Sequence, residues 1–368
     1  VEAPVFAQKF GNGKWVGIKY ILDTCPICGE QEVMMFTGDG KWGCSSCKRG
    51  GLDIKSFREF CEADDMLSQY VPYIVDPVKP EEVIVISEYK SQFHGVTVAT
   101  GFGSLDALIG GLSDGALTVL TGKRGEGKSS WLGQMSLNAI DAGHKICFYS
   151  GELSAGRFQS WLFSQAAGAR HMESKIDQFG ATRWMVQLDA EKKIREWLGD
   201  QMVLYDNTKV KSSERNTIMR AFVKARQYYG CDLFIVDNLM TAQYDIETDK
   251  DSLRAQANFA SELLNFAREN SVHVVLVAHP RKGGYEDMDI NESVAGLGEI
   301  TNLATNVMQV RKTNDKERAA HNCDAIITVS KNREYGVTGA LKFNFEPKSK
   351  RFVPLEGSCI AQYGWVKL

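Results

Sequence analysis

Leu117-Thr-Val-Leu-Thr121 runs directly into Gly122-Lys-Arg-Gly-Glu-Gly127-Lys128-Ser129, and helical text opening Ser130-Trp131-Leu132 follows. Strand, loop and helix together meet the GxxxxGK[ST] pattern and supply the context that gives it meaning. Gly122, Gly125 and Gly127 let backbone N–H groups turn inward around phosphate oxygens, and the helix start adds partial positive charge. Lys128 is placed to reach the β- and γ-phosphates and the Ser129 hydroxyl to ligate Mg²⁺, with Ser130 beside them. The loop therefore predicts ATP, or another NTP, with Mg²⁺ as the cofactors.

Around this unit, apolar runs alternate with helical text from Thr100 onward. Ala116–Gly122, Lys145–Ser150, Met202–Asp206, Asp232–Asp237, Val272–Ala278, Asn306–Val310 and Ala325–Ser330 read as strands, and Thr217–Tyr229 and Arg254–Glu269 as helices. Such alternation predicts an α/β fold, a mainly parallel sheet flanked by helices. In open α/β sheets ligands bind at the carboxyl ends of the strands, and three polar side chains fall there. Asp237 closes the apolar strand Asp232-Leu-Phe-Ile-Val-Asp237, where it would hold Mg²⁺ directly or through water. Glu152 follows Lys145–Ser150, as a base for the water attacking the γ-phosphate or as a helix-start carboxylate favoured by the dipole. His279 ends Val272–Ala278, as a phosphate sensor or as a surface histidine.

The chain has 368 residues, 43% hydrophobic, with 43 basic against 46 acidic side chains and a net charge of −3. A length of about 100–200 residues per domain leaves room for one large core and a satellite. The charge disfavours a protein that coats duplex DNA, but one narrow cationic channel would survive this balance. No apolar run approaches the roughly 20 residues of a membrane span, and Val1–Lys9 holds no apolar signal core, so neither membrane nor secretion is expected.

Four of the nine cysteines form Cys25-x2-Cys28 and Cys44-x2-Cys47, 15 residues apart, around a turn at Gly38-Asp-Gly40. Four thiolates satisfy tetrahedral Zn²⁺ and leave no open catalytic position. Residues 1–60 thus read as a zinc ribbon, with strand-like runs Lys14–Ile21, Val33–Thr37 and Lys41–Gly43. Its Trp42, Phe36, Lys41, Lys48 and Arg49 offer stacking and phosphate contacts to a nucleic acid, or the ribbon is purely structural. Residues 61–98 form a proline-containing linker with a helix expected over Glu81–Phe93, and 99–368 the ATPase domain.

Together these phrases resemble the RecA-type motor of the DnaB-like ring helicases, and among them the phage T-odd primase-helicases and the mitochondrial helicase Twinkle. The resemblance is carried by Thr100-Gly-Phe-Gly-Ser-Leu-Asp106, Gly122–Ser129, Ser150-Gly-Glu-Leu-Ser154, Ile235-Val-Asp-Asn-Leu239, Val277-Ala-His-Pro-Arg-Lys282, Ile300-Thr-Asn-Leu-Ala304 and Ser330-Lys-Asn-Arg333. It implies a RecA-like P-loop NTPase core in a homo-oligomeric ring, a hexamer, that encircles single-stranded DNA, moves 5′ to 3′ and unwinds forked duplex. Arg333 becomes an arginine finger acting on a neighbour's γ-phosphate, with Lys331 as companion, and His279 the γ-phosphate sensor. Arg281, Lys282, Gly283 and Gly284 open the central-channel DNA loop, although Glu286, Asp287 and Asp289 make its middle acidic. Phe345 falls where the family stacks an aromatic on the base, a position equally suited to a core strand residue.

Lys48–Phe57 is similar to the text after the zinc ribbon of primases, but the interval from Cys47 to Thr100 is too short for a catalytic polymerase domain. In the resembling families a helix before the motor packs on the adjacent subunit, the role expected of Glu81–Phe93. Primase or other replisome proteins are the expected partners, in the cytoplasm of a bacterial or phage-infected cell or in an organelle. Two other readings fit the same motifs: a RadA-like recombination ATPase, and a non-unwinding ATP-dependent loading or scaffold factor. The short chain after the motor speaks against the first.

Overall fold

The computed structural model describes residues 13–17, 19–26, 28–37, 40–53, 55–57, 86, 97–209, 217–242, 252–279, 298–360 and 362–367. Contacts divide the chain into two compact units, Val1–Ser91 and Gln92–Leu368. The helix expected over Glu81–Phe93 lies outside the described residues, the exposed Ile86 apart.

The first unit is an antiparallel sheet in the order β1 (Gly13–Val16), β2 (Lys19–Leu22), β3 (Met34–Thr37), β4 (Trp42–Cys44), β5 (Gly50–Gly51). The single strand-like run expected over Lys14–Ile21 is instead two strands. Gly17 takes φ +65°, a left-handed conformation that costs glycine little, and folds Val16 back opposite Lys19. β3 and β4 form the expected hairpin, with Met34 opposite Cys44 and Phe36 opposite Trp42.

A small core of Tyr20, Leu22, Met34, Phe36, Trp42 and Phe57 lies beside Cys25 and Cys44. The Phe57 ring meets Phe36 edge-on at 5.1 Å and Trp42 at 4.7 Å. The proposed stacking roles of Phe36 and Trp42 are therefore overturned: they are 1% and 7% exposed, and the Trp42 indole donates to Ser56 Oγ at 3.1 Å. Side chains already enclosed by apolar neighbours offer no face to a base.

The second unit is built on a nine-stranded sheet in the order β10-β7-β11-β12-β6-β13-β14-β15-β16. These are β6 (Ala116–Thr121), β7 (Ile146–Ser150), β10 (Met202–Leu204), β11 (Leu233–Asp237), β12 (His273–Val277), β13 (Asn306–Lys312), β14 (Ala325–Asn332), β15 (Gly339–Glu346) and β16 (Arg351–Pro354). From β10 to β13 every pairing is parallel, and β14, β15 and β16 add antiparallel strands at one side. A separate hairpin pairs β8 (Met172–Ile176) with β9 (Thr182–Val186). β8, β9, β15 and β16 were not among the predicted strands; β8 and β9 are largely exposed, and all four lack the continuous apolar runs of the central ones.

Helices α1 (Gly103–Ile109), α2 (Lys128–Asp141), α3 (Ala155–Ala167), α4 (Leu188–Leu198), α5 (Thr217–Tyr229), α6 (Ser252–Asn270), α7 (Gly298–Leu303) and α8 (Asp315–His321) complete the unit. The two-residue period of a strand sorts the core into two layers. Leu233, Ile235, Val275 and Val277 pack with α2, α3 and α4, whereas Phe234, Val236, Val274 and Leu276 pack with α5, α6 and α7.

Aromatic packing fixes the start of α2. Trp131, fully buried, stacks on Phe102 at 4.2 Å and meets Phe343 and Phe352 edge-on. The Thr100–Asp106 phrase closes on itself: the Asp106 carboxylate accepts from the Thr100 N–H (2.8 Å), the Thr100 hydroxyl (2.7 Å) and the Gly101 N–H (3.1 Å). Far from the loop, the ring of His273 is buried between the Ser113 carbonyl and Thr118 Oγ1, and that burial holds its pKa down to about 4. No helix among the described residues is long and apolar enough to cross a membrane.

Candidate functional site

β7, β11, β12 and β6 are consecutive neighbours in the sheet and all run parallel. Four carboxyl ends, spaced by about 4.8 Å, thus deliver Glu152, Asp237, His279 and the loop Gly122–Ser129 to one edge. The sheet order brings together residues that lie far apart in the chain.

The loop needs its glycines for space as well as for dihedral freedom. Gly122 sits at φ +148°, and a Cβ there would lie 2.3 Å from the Val310 carbonyl oxygen. Gly127 sits at φ +98°, and its Cβ would lie 2.9 Å from the Phe352 ring. Lys128 is 6% exposed and donates to the carbonyls of Gly122 (2.7 Å) and Lys123 (2.8 Å). Burial lowers its pKa, against the opposing charges of Asp237, Glu126 and Glu152. The Ser129 hydroxyl donates to Asp237 Oδ2 at 2.6 Å, so the two oxygens expected on Mg²⁺ already share one point. Burial raises the Asp237 carboxyl, and the Ser129 hydrogen bond works the other way. A divalent cation would relieve that burial by restoring the charged form's partner.

Between Glu152 and His279 stands a residue that sequence reading did not single out. Asn238, 1% exposed, points its amide nitrogen at Glu152 Oε1 (2.7 Å) and at His279 Nε2 (3.1 Å). Glu152 and His279 are themselves 3.7 Å apart. Burial lowers the His279 pKa, the Lys128 charge adds to this, and Glu152 and the Gly122 carbonyl pull upward. A second tie joins these strand ends, because the Gly151 N–H donates to the Asp237 carbonyl at 2.7 Å. A side chain at Gly151 would overlap Thr241 Oγ1, at 1.7 Å from the added Cβ. Glu152 is therefore carried by a strand end that accepts only glycine before it.

A cavity of about 820 Å³ extends from the loop past Glu152, Asp237 and His279 to Phe345, Trp161 and Arg318. Its volume suits a nucleotide-sized ligand. Phe345 is a half-buried residue of β15, edge-on to Phe352 at 5.2 Å, and it lines the cavity. Beside it, Arg318 pairs with Asp324 at 3.1 Å, and Asp324 in turn accepts from the Phe345 N–H at 3.0 Å. Arg318 and Asp324 went unnoticed because α8 is a short polar helix, and only the β13–β14 pairing carries it to the cavity.

Lys331 and Arg333 are not at this edge. β14 runs antiparallel to β13, and Asn332 lies opposite Asn306, itself level with Thr118 in β6. Arg333 is therefore roughly 15 Å back along the strand direction from the loop of its own chain. There Lys331 Nζ donates to the Thr301 carbonyl (2.6 Å), and Arg333 to the Asn302 carbonyl. These carbonyls belong to the last turn of α7, a position that attracts cations. Arg281, Lys282, Gly283 and Gly284 lie outside the described residues.

In the first unit the sulfur atoms of Cys25, Cys28, Cys44 and Cys47 all lie within 4.8 Å of one another. Cys28 and Cys44 are 3.8 Å apart, close to the roughly 3.8 Å edge of a tetrahedron with Zn–S bonds of about 2.3 Å. Burial pushes the Cys44 thiol up, but backbone and thiol donors of Cys47, with Ser46 and Cys25, outweigh it and bring the pKa to about 7. The donor set fits zinc.

Comparison with known proteins agrees with this geometry. Among solved structures, the ATPase domain of G40P aligns with a TM-score of 0.57 at 17% identity, over 70% of this chain and 91% of that one. A DnaB-like replicative helicase, described with its interactions with primase, aligns with a TM-score of 0.56 at 17% identity, over 82% of this chain and 73% of that one. Both likenesses are of fold. Residues 97–354 match the family model of the DnaB-like helicase C-terminal domain, and with a phosphate loop, acidic strand end and nucleotide-sized cavity in one place, the chain belongs to the DnaB-like helicases and is an ATP-dependent enzyme of the replicative-helicase class.

Proposed function

We propose that this chain forms a homo-oligomeric ring, a hexamer, that encircles single-stranded DNA and moves 5′ to 3′, unwinding duplex at a fork. The observation that carries this reading is the separation of the two halves of the catalytic machinery. Lys128, Ser129, Asp237, Glu152 and His279 gather at one sheet edge, while Lys331 and Arg333 end β14 at the other. A guanidinium supplied from a neighbouring subunit completes the charge stabilisation that phosphoryl transfer needs, and ties hydrolysis to the ring.

Each role follows from chemistry at the site. Lys128 holds the β- and γ-phosphates, Ser129 and Asp237 hold Mg²⁺, Glu152 orients and deprotonates the attacking water, and His279 senses the γ-phosphate. Phe345 and Arg318 flank the base end of the cavity. Arg281, Lys282, Gly283 and Gly284 serve as the DNA contacts, and primase or another replisome protein as the partner. Strand displacement on forks carrying a 5′ or a 3′ single-stranded tail tests the reading. Unwinding of the 5′-tailed fork alone is expected; single-stranded DNA that stimulates hydrolysis without unwinding on either fork sinks it in favour of a loading factor.

Cys25, Cys28, Cys44 and Cys47 hold a structural Zn²⁺. The core of the first unit is small, so the metal supplies much of its folding free energy. Displacing the thiolates with a mercurial in the presence of a zinc-sensitive dye should release about one zinc per chain. A strong chelator should then make the first unit protease-sensitive while ATP binding by the second persists. A metal-free ribbon that resists protease would refute the assignment.

A further inference from the structure

The two cations at the end of β14 flank a residue with opposite surroundings. Lys331 and Arg333 reach carbonyls in the last turn of α7, whereas Asn332 between them is 5% exposed. Successive residues of a strand point to opposite faces, so with both cations turned to α7 the Asn332 side chain is turned to α1. There its Nδ2 donates to the Leu108 carbonyl at 3.0 Å, and its Oδ1 accepts from the Tyr335 N–H at 3.2 Å. Turned over, the amide would set oxygen against a carbonyl and nitrogen against an N–H, so one orientation alone satisfies both ends. The Asn332 carbonyl accepts in addition from the Gly336 N–H at 2.9 Å.

The strand is re-aimed just before this point. In the pairing with β13, Met308 lies opposite Val329 and Val307 opposite Lys331, which leaves Ser330 as an extra residue. A bulge of this kind redirects the side chains that follow it, because a slip of one residue exchanges the two faces of a strand. Without it, Asn332 would face α7 and the two cations would face α1. Past Asn332 the chain is exposed from Arg333 to Thr338. Arg333 is held there by its backbone, its N–H donating to the Thr305 carbonyl at 2.9 Å. Its guanidinium rests on the neutral Asn302 carbonyl, a weaker partner than a phosphate oxygen.

We propose that Asn332 is the positioning residue of the arginine finger: it fixes to α1 the backbone from which Arg333 and Lys331 are presented to a neighbour's γ-phosphate. The inference rests on the ring reading above. A long exposed side chain supplies reach, and the buried amide at its base supplies placement. Asn332 lines no part of its own chain's nucleotide cavity, so its effect falls on the site of the next subunit.

The test measures steady-state hydrolysis by wild type and Asn332→Asp, alone and in re-formed mixed rings. Asn332→Asp keeps the size of the side chain and the acceptor for Tyr335 but sets an oxygen against the Leu108 carbonyl. A misplacement of about 1 Å can cost a reaction about 10²-fold, so kcat should fall about 10-fold or more. KM for ATP should change less than about threefold, because the phosphate loop and its cavity are intact. Rings re-formed from equal amounts of Asn332→Asp and Lys128→Ala should regain up to about a quarter of wild-type hydrolysis, since random assembly joins an intact loop to an intact finger at roughly that share of interfaces. Rings of Asn332→Asp and Arg333→Ala, both altered in the finger half, should be no more active than the Asn332→Asp parent. Thermal melting and sedimentation report that each variant folds and forms rings; Asn332→Ser, which keeps a hydroxyl donor in a smaller side chain, replaces Asn332→Asp if it does not.

A kcat within about twofold of wild type overturns the proposal. So does a mixture with Lys128→Ala that regains nothing, which would place the lesion in the subunit's own site. Rings of Lys128→Ala and Arg333→Ala serve as the control: if they too regain nothing, the neighbour-supplied finger fails, and the role of Asn332 fails with it.

Discussion

Lys128→Ala is expected to abolish ATP hydrolysis, lowering the rate by about 10³-fold or more, a loss of roughly 4 kcal/mol of transition-state stabilisation. The ammonium is confined among the carbonyls of Gly122 and Lys123 and faces the charges of Asp237 and Glu152. A phosphate tail entering the loop offers it a stronger partner than two neutral carbonyls. No other cation of the loop is buried with it: Lys123 and Arg124 are exposed. The variant should remain folded, because α2 is anchored by Trp131 and its aromatic neighbours and not by the lysine head group. Steady-state phosphate release and thermal melting check the two halves of this expectation. A variant that keeps more than about a tenth of the wild-type rate would remove Lys128 from the chemistry.

The order of the strands explains which parts of the candidate site could be read from sequence. Asp237, Glu152 and His279 each end an apolar run, and strands buried on both faces announce themselves as such runs. Their carboxyl ends follow at once, so three side chains could be placed at one edge without knowing the order of strands. Asn238 needs that order: it stands between the Glu152 and His279 strands only because β11 is flanked by β7 and β12. Nothing in the dipeptide Asp237-Asn238 says which neighbours it will have.

Arg318 is hidden for a related reason. Its helix α8, capped by Asn314 and Glu317, is short, has no buried residue and shows no periodicity that points inward. β15 mixes inward and outward residues and the edge strand β16 has only four residues, so both merge with loop text. In the ribbon, the cysteine spacing was legible, but the hairpin at Gly17 was not, because a lone glycine within strand-like text also fits a bulge. Phe36 and Trp42 there failed as base platforms because a sheet this small takes both rings into its own core.

Arg333→Ala should lower hydrolysis by about 10³-fold or more, the scale at which an arginine finger acts, although Arg333 lines no part of its own chain's nucleotide cavity. The more telling experiment combines this variant with Lys128→Ala. Each interface of a head-to-tail ring joins the phosphate loop of one subunit to the finger of the next. In a ring re-formed from equal amounts of the two variants, a working interface needs an Arg333→Ala subunit for its loop and a Lys128→Ala subunit for its finger. Random assembly places that pair in roughly a quarter of interfaces, so the mixture should recover about a quarter of wild-type hydrolysis from two inactive parents. If each chain used its own arginine, every site in the mixture would carry one lesion and no activity would return. Recovery near a quarter, measured after dissociating and re-forming the mixed rings, therefore assigns the finger to the neighbour. A mixture as inactive as its parents, at a concentration where wild-type rings re-form fully, would return Arg333 to the structural task of binding the last carbonyls of α7.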